Sequence, residues 1–187
     1  MNRPATPAEA SPLKTQGVTL EDVDYRNTRH AAHLVELLDG YARDPMGGGH
    51  ALSEFVKTNL AACLAQQPQA FSLLAYEAGA PVGLINCIEG FSTFACQPLV
   101  NVHDVVVVAS HRGRGIAAMM LARVEAMARE RGACKLTLEV LAGNHGAMRA
   151  YERVGFAAFQ LDPAMGQARF MQKWLDLPEV VSSALEL

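Results

Sequence analysis

The residues of this sequence best suited to chemistry form a glycine turn between a predicted strand and a predicted helix. The run VVVVASHRGRGIA, residues 105–117, passes from four valines through a basic turn into an apolar helix start. Helix N-termini carry unpaired backbone N–H groups and the positive end of the helix dipole, which suit phosphate oxygens. Gly113 and Gly115 lack Cβ atoms, so the backbone can close around an anion. Arg112 and Arg114 add positive charge, and the turn therefore predicts an anion site.

The turn alone leaves an alternative, because an ordinary strand-to-helix turn with solvated arginines has the same composition. A dinucleotide-binding fingerprint needs a third glycine, and a nucleoside-triphosphate loop needs Gly-Lys followed by Ser or Thr. Both features are missing here. A second segment narrows the choice: Asn144 follows a predicted strand, and Tyr151 opens the run YERVGF, residues 151–156.

Together the two segments resemble the GNAT N-acetyltransferase superfamily. Residues 112–117 fit the family pattern Arg/Gln-x-x-Gly-x-Gly/Ala, with Ala117 where many members have glycine. Asn144, Ala147 and the run 151–156 resemble the second block of the family. The order of predicted elements across Val18–Trp174 also matches the fold of the family. The resemblance indicates an acyl-CoA-dependent N-acetyltransferase that moves an acetyl group to a primary amine by direct attack in a ternary complex.

The resemblance implies acetyl-CoA as co-substrate and no metal. The backbone of Val105–Val107 would splay from the next strand and pair with the pantetheine arm, as an added strand does. The glycine turn would hold the pyrophosphate. Asn144 would hydrogen-bond the pantetheine region, with helix capping as its competing role. The residues expected to bind the cofactor are Val105, Val106, Val107, Arg112, Gly113, Arg114, Gly115, Ile116, Ala117, Ala118 and Asn144.

Tyr151 is the first expected catalytic residue, because the resemblance places it near the thioester sulfur. A core aromatic with a satisfied hydroxyl is the structural alternative. A phenol of pKa ~10 that protonates a thiolate of conjugate pKa ~8.5 acts uphill by about 2 kcal/mol. Hydrogen-bond stabilisation of the leaving sulfur is therefore at least as well supported as full proton transfer.

His103 is the second expected catalytic residue. An alkylamine of pKa ~10.4 must lose a proton before it attacks, which costs about 4–5 kcal/mol at neutral pH, so a base or a water relay is needed. His103 lies where some relatives carry a substrate-contacting glutamate, and histidines titrate near neutral pH. A structural role on the strand is the alternative, and Glu89 is the other candidate base. Strand alternation turns Asp104 to the opposite face, which predicts a structural role.

The acceptor pocket is expected in the variable parts of such a fold, the segments Tyr41–His50 and Phe91–Pro98. The run Gly47–Gly49 fits either a mobile lid or a simple flexible connection. Asp44 is a candidate ligand for an ammonium group. The sequence names no substrate, so small amines, amino acids, aminoglycosides, polyamines and protein amines stay open. The residues expected to bind the acceptor are Tyr41, Asp44, Glu89, Phe91 and Phe94.

Hydrophobic periodicity and turn residues predict the elements that must position these groups. The order is β-α-α-β-β-β-α-β-α-β-β, which is an α/β class with a mixed sheet and helices on both faces. Helix caps are expected at Asn27 or Thr28, Ser53 and Asn144. A C-terminal hairpin of Phe156–Leu161 and Arg169–Trp174 completes the sheet. We expect a flexible arm at residues 1–16, one acetyltransferase domain at 17–177 and a tail at 178–187.

Composition restricts the remaining classes of function. The 187 residues are 50% hydrophobic and 19% charged with a net charge of −3, which suits one globular domain and disfavours nucleic-acid binding. The four scattered cysteines form no zinc pattern and fit a reducing cytoplasm. No apolar run reaches transmembrane length, so no membrane partner is expected. A homodimer is left open, and a non-catalytic acyl-CoA-binding sensor or scaffold of the same fold is the alternative function.

Overall fold

The computed structural model describes residues 15–159, 164 and 168–175. Their elements follow the order β-α-α-β-β-β-α-β-α, which confirms the first nine predicted elements. The predicted arm lies outside the described residues except for residues 15 and 16, and the predicted tail lies wholly outside them. The elements are β1 (Val18–Asp22), α1 (Thr28–Ala42), α2 (Glu54–Leu64), β2 (Ala70–Glu77), β3 (Ala80–Ser92), β4 (Gln97–Val107), α3 (Ile116–Glu130), β5 (Leu136–Leu138) and α4 (His145–Arg153).

Side-chain caps set where three of the four helices begin. Asn27 Oδ1 accepts hydrogen bonds from the backbone N–H groups of the first turn of α1. Ser53 Oγ accepts from Val56 N at the start of α2, and Asn144 Oδ1 accepts from Ala147 N at the start of α4. These caps were predicted and are confirmed. Helix α3 differs, because its N-cap is Gly115 and no side chain caps it.

The five strands form one mixed sheet in the order β1-β2-β3-β4-β5. The pairs β1–β2, β2–β3 and β3–β4 are antiparallel, and β4–β5 is parallel. The parallel pair is short, since only Val100–Val102 of β4 pairs with Leu136–Leu138 of β5. Beyond Val102, strand β4 continues on β3 alone.

Helices cover both faces of the sheet, as predicted. On one face Leu34 and Leu37 of α1 pack with Leu74, Leu84 and Val106, and α2 lies at the edge of that cluster. On the other face an apolar stripe of α3 enters a larger cluster with β2, β3 and β4, and α4 packs at the margin of this cluster. The stripe consists of Ile116, Met120, Val124 and Met127, and all four are buried. The fold class is therefore confirmed.

Strand β4 contains a bulge that strand alternation cannot anticipate. Asn86 of β3 pairs with Asp104, but the next residue, Cys87, pairs with Val102. His103 is thus an extra residue, and an extra residue reverses the inside–outside pattern on one side of it. Val106 packs with the α1 cluster, whereas Val102 packs with the α3 cluster. The expectation that Asp104 faces away from His103 is therefore wrong, and both side chains reach the α1 face.

The C-terminal hairpin differs from the prediction in its described part. Residues 156–159 and 168–175 form no strand, although Phe156–Leu161 and Arg169–Trp174 were predicted as strands. A strand needs a neighbour for its backbone hydrogen bonds, and the recorded pairs of the sheet end at β5. The aromatic side chains behind the prediction are also exposed, with Phe159 at 69%, Phe170 at 71% and Trp174 at 68%. Burial therefore does not stabilise strands here.

The segment Phe91–Pro98, expected to be a variable part of the fold, is largely the end of a long hairpin. Strand β3 runs to Ser92 and β4 begins at Gln97, with pairing up to Ser92–Gln97. The chain turns through residues 93–96, where Cys96 has a positive φ of 51°. This hairpin end projects from the sheet, since Phe91 is 59% exposed.

Candidate functional site

The glycine turn presents the free end of α3 to solvent. Gly113 and Gly115 have φ angles of +75° and +91°, a left-handed conformation that favours glycine. The first helical hydrogen bond recorded at this end joins Met119 N to Gly115 O at 3.0 Å. The backbone N–H groups of residues 116–118 precede it and have no partner within the described part of the chain. No described atom lies within 4 Å of where a Cβ of Gly113 would stand.

Carboxylates from other elements hold both arginines of the turn. Arg112 Nη2 lies 2.9 Å from Asp44 Oδ2, and Arg112 Nε donates to Val107 O at 3.0 Å. Arg114 makes a two-point ion pair with Glu77, one contact of which joins Nη1 to Oε2 at 3.0 Å. The guanidinium groups thus fasten the turn to the α1–α2 connection and to the end of β2. The N–H groups of the α3 terminus are what remains open to an anion.

The carboxylates that hold the turn titrate below their ordinary range. The backbone N–H of Met46 lowers the pKa of Asp44 most, and Arg112 lowers it further. Arg114 is the main cause that lowers the pKa of Glu77, and His111, whose Nε2 lies 2.9 Å from Glu77 Oε2, contributes as well. Both anchors of the turn therefore remain ionised at neutral pH.

The sheet opens beside this turn. The pairing of β4 with β5 stops at Val102–Leu138, so residues Val105–Val107 pair with β3 on one side only. The predicted splay of the two strands is thus present. A helix N-terminus with open N–H groups and a splayed strand edge together offer an anion site followed by a row of backbone groups. These features fit the diphosphate and pantetheine parts of coenzyme A.

Asn144 and Tyr151 lie at the two ends of α4. Asn144 Oδ1 accepts a hydrogen bond from Ala147 N at 3.1 Å. Asn144 therefore caps the helix, which is the alternative role considered for it above. Tyr151 packs against the α3-side cluster and meets the Phe156 ring edge-on at 6.0 Å between centroids. Burial raises the pKa of Tyr151 to about 12, with a smaller contribution from Tyr41. The phenol therefore keeps its proton at any working pH.

A cavity of about 440 Å³ lies on the other face, between helices α1 and α2 and strands β3 and β4. Four leucines and Ile88 contribute its apolar lining, and four polar residues from α1, β3 and β4 contribute its polar lining. No residue of α2 is fully buried, because its inner side faces this space. The lining residues are Leu38, Tyr41, Ala42, Gly47, Leu52, Leu60, Leu64, Asn86, Ile88, His103 and Asp104.

Tyr41 joins the cavity to the rest of the site. Its hydroxyl donates to Met46 O at 3.3 Å. Burial raises the pKa of Tyr41, and the charges of Asp104 and Asp44 raise it further. The hydroxyl thus ties the cavity lining to the α1–α2 connection, which also carries Asp44.

The residues predicted to bind the acceptor divide into two groups. Tyr41 and the expected base His103 line the cavity. Asp44 pairs with Arg112, and Glu89 Oε2 lies 3.7 Å from Arg131 Nε. Phe91 and Phe94 are exposed near the β3–β4 hairpin end. Asp44, Glu89, Phe91 and Phe94 are not among the lining residues of the cavity.

The run Gly47–Gly49 is tied back to the end of α1. The N–H groups of Gly47 and Gly49 donate to Asp44 O at 2.7 and 3.2 Å, and His50 N donates to Ala42 O at 3.1 Å. A Cβ on Gly47 would stand 2.0 Å from Tyr41 O. Gly47 thus allows a close approach of two backbone segments, which matches the connection rather than the lid interpretation.

Two polar cavity residues were not predicted as site residues, Asn86 and Asp104. Asn86 interrupts the apolar run of β3, and a polar residue inside a buried strand is a usable signal. Asp104 was assigned to the wrong face because the bulge at His103 is invisible in the sequence.

Neither a metal-binding cluster nor a membrane-spanning helix occurs in the part of the chain that the structure describes. There, His, Cys, Asp and Glu side chains form no group of three or more that could hold a metal ion. Over the same residues, the helices lack the combination of length and apolar character that crossing a membrane requires.

Comparison with known proteins adds independent information. The model of the acetyltransferase (GNAT) family matches residues 50–156, which include the glycine turn and Tyr151. The streptothricin acetyltransferase of Streptomyces lavendulae is 38% identical over 89 residues. The aligned part covers 46% of this chain and 47% of that protein, so the match spans about half the length of that curated relative.

Solved structures share the fold at lower identity. The ribosomal-protein-alanine N-acetyltransferase from Brucella melitensis biovar Abortus 2308 has a TM-score of 0.63 and 22% identity, covering 84% of this chain and 99% of that one. The aminoglycoside N-acetyltransferase AAC(6')-Iy, solved with CoA, has a TM-score of 0.64 and 16% identity, covering 83% and 94%. At these identities the likeness shows the fold alone.

Proposed function

The chain belongs to the acetyltransferase (GNAT) family, and from that premise we propose that it transfers an acetyl group from acetyl-CoA to a primary amine. The observation that carries the proposal is the arrangement around β4. On one side of this strand lie the open α3 terminus and the splayed edge. On its other side lies a cavity with a polar end at His103. A thioester bound along the edge and an amine bound in the cavity would meet at this strand.

The cofactor would be held mainly by backbone groups. The N–H groups of residues 116–118 would bind the pyrophosphate, with Gly113 and Gly115 giving it room. The edge of Val105–Val107 would pair with the pantetheine arm. Asn144 uses Oδ1 as a helix cap, which leaves its amide N–H groups for a pantetheine carbonyl. Acetyl-CoA supplies an activated acyl group as a thioester.

The chain's own residues would manage two protons. His103 Nδ1 or Nε2 would take the proton of the attacking amine, because this side chain lines the cavity in which the amine would bind. Tyr151 Oη would donate a hydrogen bond to the sulfur and keep its own proton. Direct attack in a ternary complex needs no covalent enzyme intermediate, so no nucleophilic side chain is required.

The acceptor would be a small molecule or a peptide that carries a primary amine. The names of the relatives refer to three different substrates: streptothricin, an aminoglycoside and a ribosomal protein. They therefore do not identify one acceptor. Nucleic acid is disfavoured by the net charge of −3. We place the protein in the cytoplasm, where free cysteines stay reduced.

A turnover assay tests the proposal. Purified protein is incubated with acetyl-CoA and a panel of amines, and both free thiol and acetylated amine are measured. The proposal predicts amine-dependent thiol release, matched one to one by the N-acetyl product. Tight binding of acetyl-CoA without amine-dependent release for any amine would instead identify a sensor or scaffold.

A further inference from the structure

Asp104 lines the cavity and pairs with no Lys, Arg or His side chain of the described residues. Its Oδ2 accepts a hydrogen bond from Asn86 Nδ2 at 2.9 Å. Within the described residues, Asp104 takes part in no ion pair, and its Oδ1 has no hydrogen-bond partner. Among the described residues, every fully buried side-chain N or O atom has a hydrogen-bond partner. Because Asp104 Oδ1 has no such partner, it is not fully buried. Burying half of a carboxylate beside leucine side chains costs free energy unless a positive charge or further hydrogen-bond donors interact with the carboxylate oxygens.

A row of hydrogen bonds fixes the orientation of this carboxylate. Ser72 Oγ donates to Asn86 Oδ1 at 2.6 Å, and Tyr25 Oη lies 2.8 Å from Ser72 Oγ. Because the Ser72 proton is used toward Asn86, Tyr25 must be the donor to Ser72. Every bond in the row therefore points toward Asp104.

The sheet register makes this row rigid. Ser72 of β2 is paired with Asn86 of β3, and Asn86 is paired with Asp104 of β4, so the three side chains stand side by side across three strands. Ser72 and Asn86 are buried, at 2% and 6% exposure. A buried polar row of this kind rigidifies its members and gives the terminal group one orientation.

We propose that Asp104 binds the ammonium group of the acceptor and that the Tyr25–Ser72–Asn86 row positions it. The inference rests on the proposed function, since it places the amine beside His103 and Tyr41. The remaining wall is made of Leu38, Leu52, Leu60, Leu64 and Ile88. Such a wall takes an aliphatic or aromatic stem, so the substrate class is a primary amine on an apolar stem.

Binding of n-hexylamine to the CoA-free protein, followed by NMR titration, tests Asp104 directly. Hexan-1-ol is the matched neutral probe with the same stem. Asp104→Asn keeps the size of the side chain and an acceptor for Asn86, and removes the charge. We expect the variant to lose affinity for hexylamine by about tenfold or more, and to bind hexan-1-ol as the wild type does.

The outcomes separate this inference from the proposed function. Equal hexylamine affinity of wild type and Asp104→Asn overturns the assignment of Asp104. A wild type that binds CoA and does not bind hexylamine overturns it as well, and leaves acetyl transfer to another amine class intact. Failure to bind CoA counts against the proposed function, and the hexylamine titration still decides on Asp104 because it is made without CoA.

The positioning role is tested one step along the row. Asn86→Leu removes the donor to Asp104, and Ser72→Ala removes only the support behind it. We expect the KM for hexylamine to rise in both variants, more in Asn86→Leu, while kcat at saturating amine changes less. A purely structural role would lower the melting temperature and leave the KM unchanged, which would overturn the positioning role. If Asn86→Leu does not fold, the KM of Ser72→Ala alone tests the positioning role.

Discussion

At the scale of the residue, the environment of Tyr151 decides which chemistry it can perform. Burial raises the pKa of its phenol to about 12. Protonating a thiolate of ordinary pKa ~8.5 from such a phenol is uphill by about 5 kcal/mol, against about 2 kcal/mol for an unperturbed tyrosine. A hydrogen bond that Tyr151 donates and keeps is therefore the better description of its role.

Removal of the Tyr151 hydroxyl is expected to affect turnover rather than binding. Tyr151→Phe should lower kcat by about a hundredfold, which is the usual cost of one hydrogen bond to developing charge, while acetyl-CoA affinity by calorimetry stays close to wild type. Tyr76→Phe is the matched control, because it removes a buried hydroxyl that bonds His33 on the α1 face. Wild-type turnover in Tyr151→Phe would show that Tyr151 contributes only to packing.

The same pKa predicts the alkaline side of the rate profile. Tyr151 donates its hydrogen bond only while protonated, that is, below its pKa of about 12. At saturating amine, kcat should therefore show no descending limb up to about pH 11, whereas an ordinary tyrosine would impose one near pH 10. A fall in kcat centred near pH 10 in a protein that remains folded by circular dichroism contradicts this account.

His103 is expected to act on the acceptor side, because it lines the cavity. If it takes the proton of the amine, His103→Ala should lower kcat/KM for the amine by about a hundredfold, at the low end of what general-base catalysis contributes, and leave acetyl-CoA affinity in calorimetry unchanged. Wild-type kcat/KM in His103→Ala would pass the role of base to Glu89 or to water.

At the scale of the element, the α3 terminus can be tested against the other end of the same helix. Gly113 has φ +75° and Gly132 has φ +73°, and neither has a described atom within 4 Å of a Cβ position. Aspartate at either site costs a similar strain of about 1–2 kcal/mol. We expect Gly113→Asp to abolish CoA binding in calorimetry and Gly132→Asp to preserve it. Equal CoA affinities of the two variants would show that the α3 terminus does not bind the pyrophosphate.

The ion pairs that hold the turn predict how stability depends on pH. The folded-state pKa of Glu77 is lowered from 4.5, mainly by Arg114. Its contribution to stability is therefore present above pH 4.5 and is lost as the pH falls through the folded-state value. Glu77→Gln should be less stable than wild type at pH 7, and the difference should shrink below pH 4.5. Urea unfolding at a series of pH values measures this difference in the free energy of unfolding. A difference that stays constant with pH would contradict the proposed stabilisation by the Glu77–Arg114 ion pair.

At the scale of the whole molecule, the sequence allowed nine elements to be predicted because local chemistry marks their ends. Asn27, Ser53 and Asn144 cap their helices where expected. The bulge at His103 has no local marker, since it is a matter of register between β3 and β4. For that reason Asp104 was assigned to the wrong face.

Long-range pairs explain the rest of what the sequence could not supply. Asp44, a candidate ligand for an ammonium group, forms an ion pair with Arg112, 68 positions along the chain. Arg114, expected to add charge at the anion site, pairs with Glu77 at the end of β2. Pairings between distant segments depend on the assembled fold, and motif spacing carries no information about them.

The crystal structure of the acetyl-CoA complex would show the cofactor and the reacting centre together. We predict the pyrophosphate within hydrogen-bond distance of the N–H groups of residues 116–118, and the pantetheine along Val105–Val107. We also predict that Tyr151 Oη contacts the thioester sulfur, with the acyl group turned toward His103. A complex in which the pyrophosphate lies away from the α3 terminus, or in which Tyr151 does not reach the sulfur, would contradict these predictions.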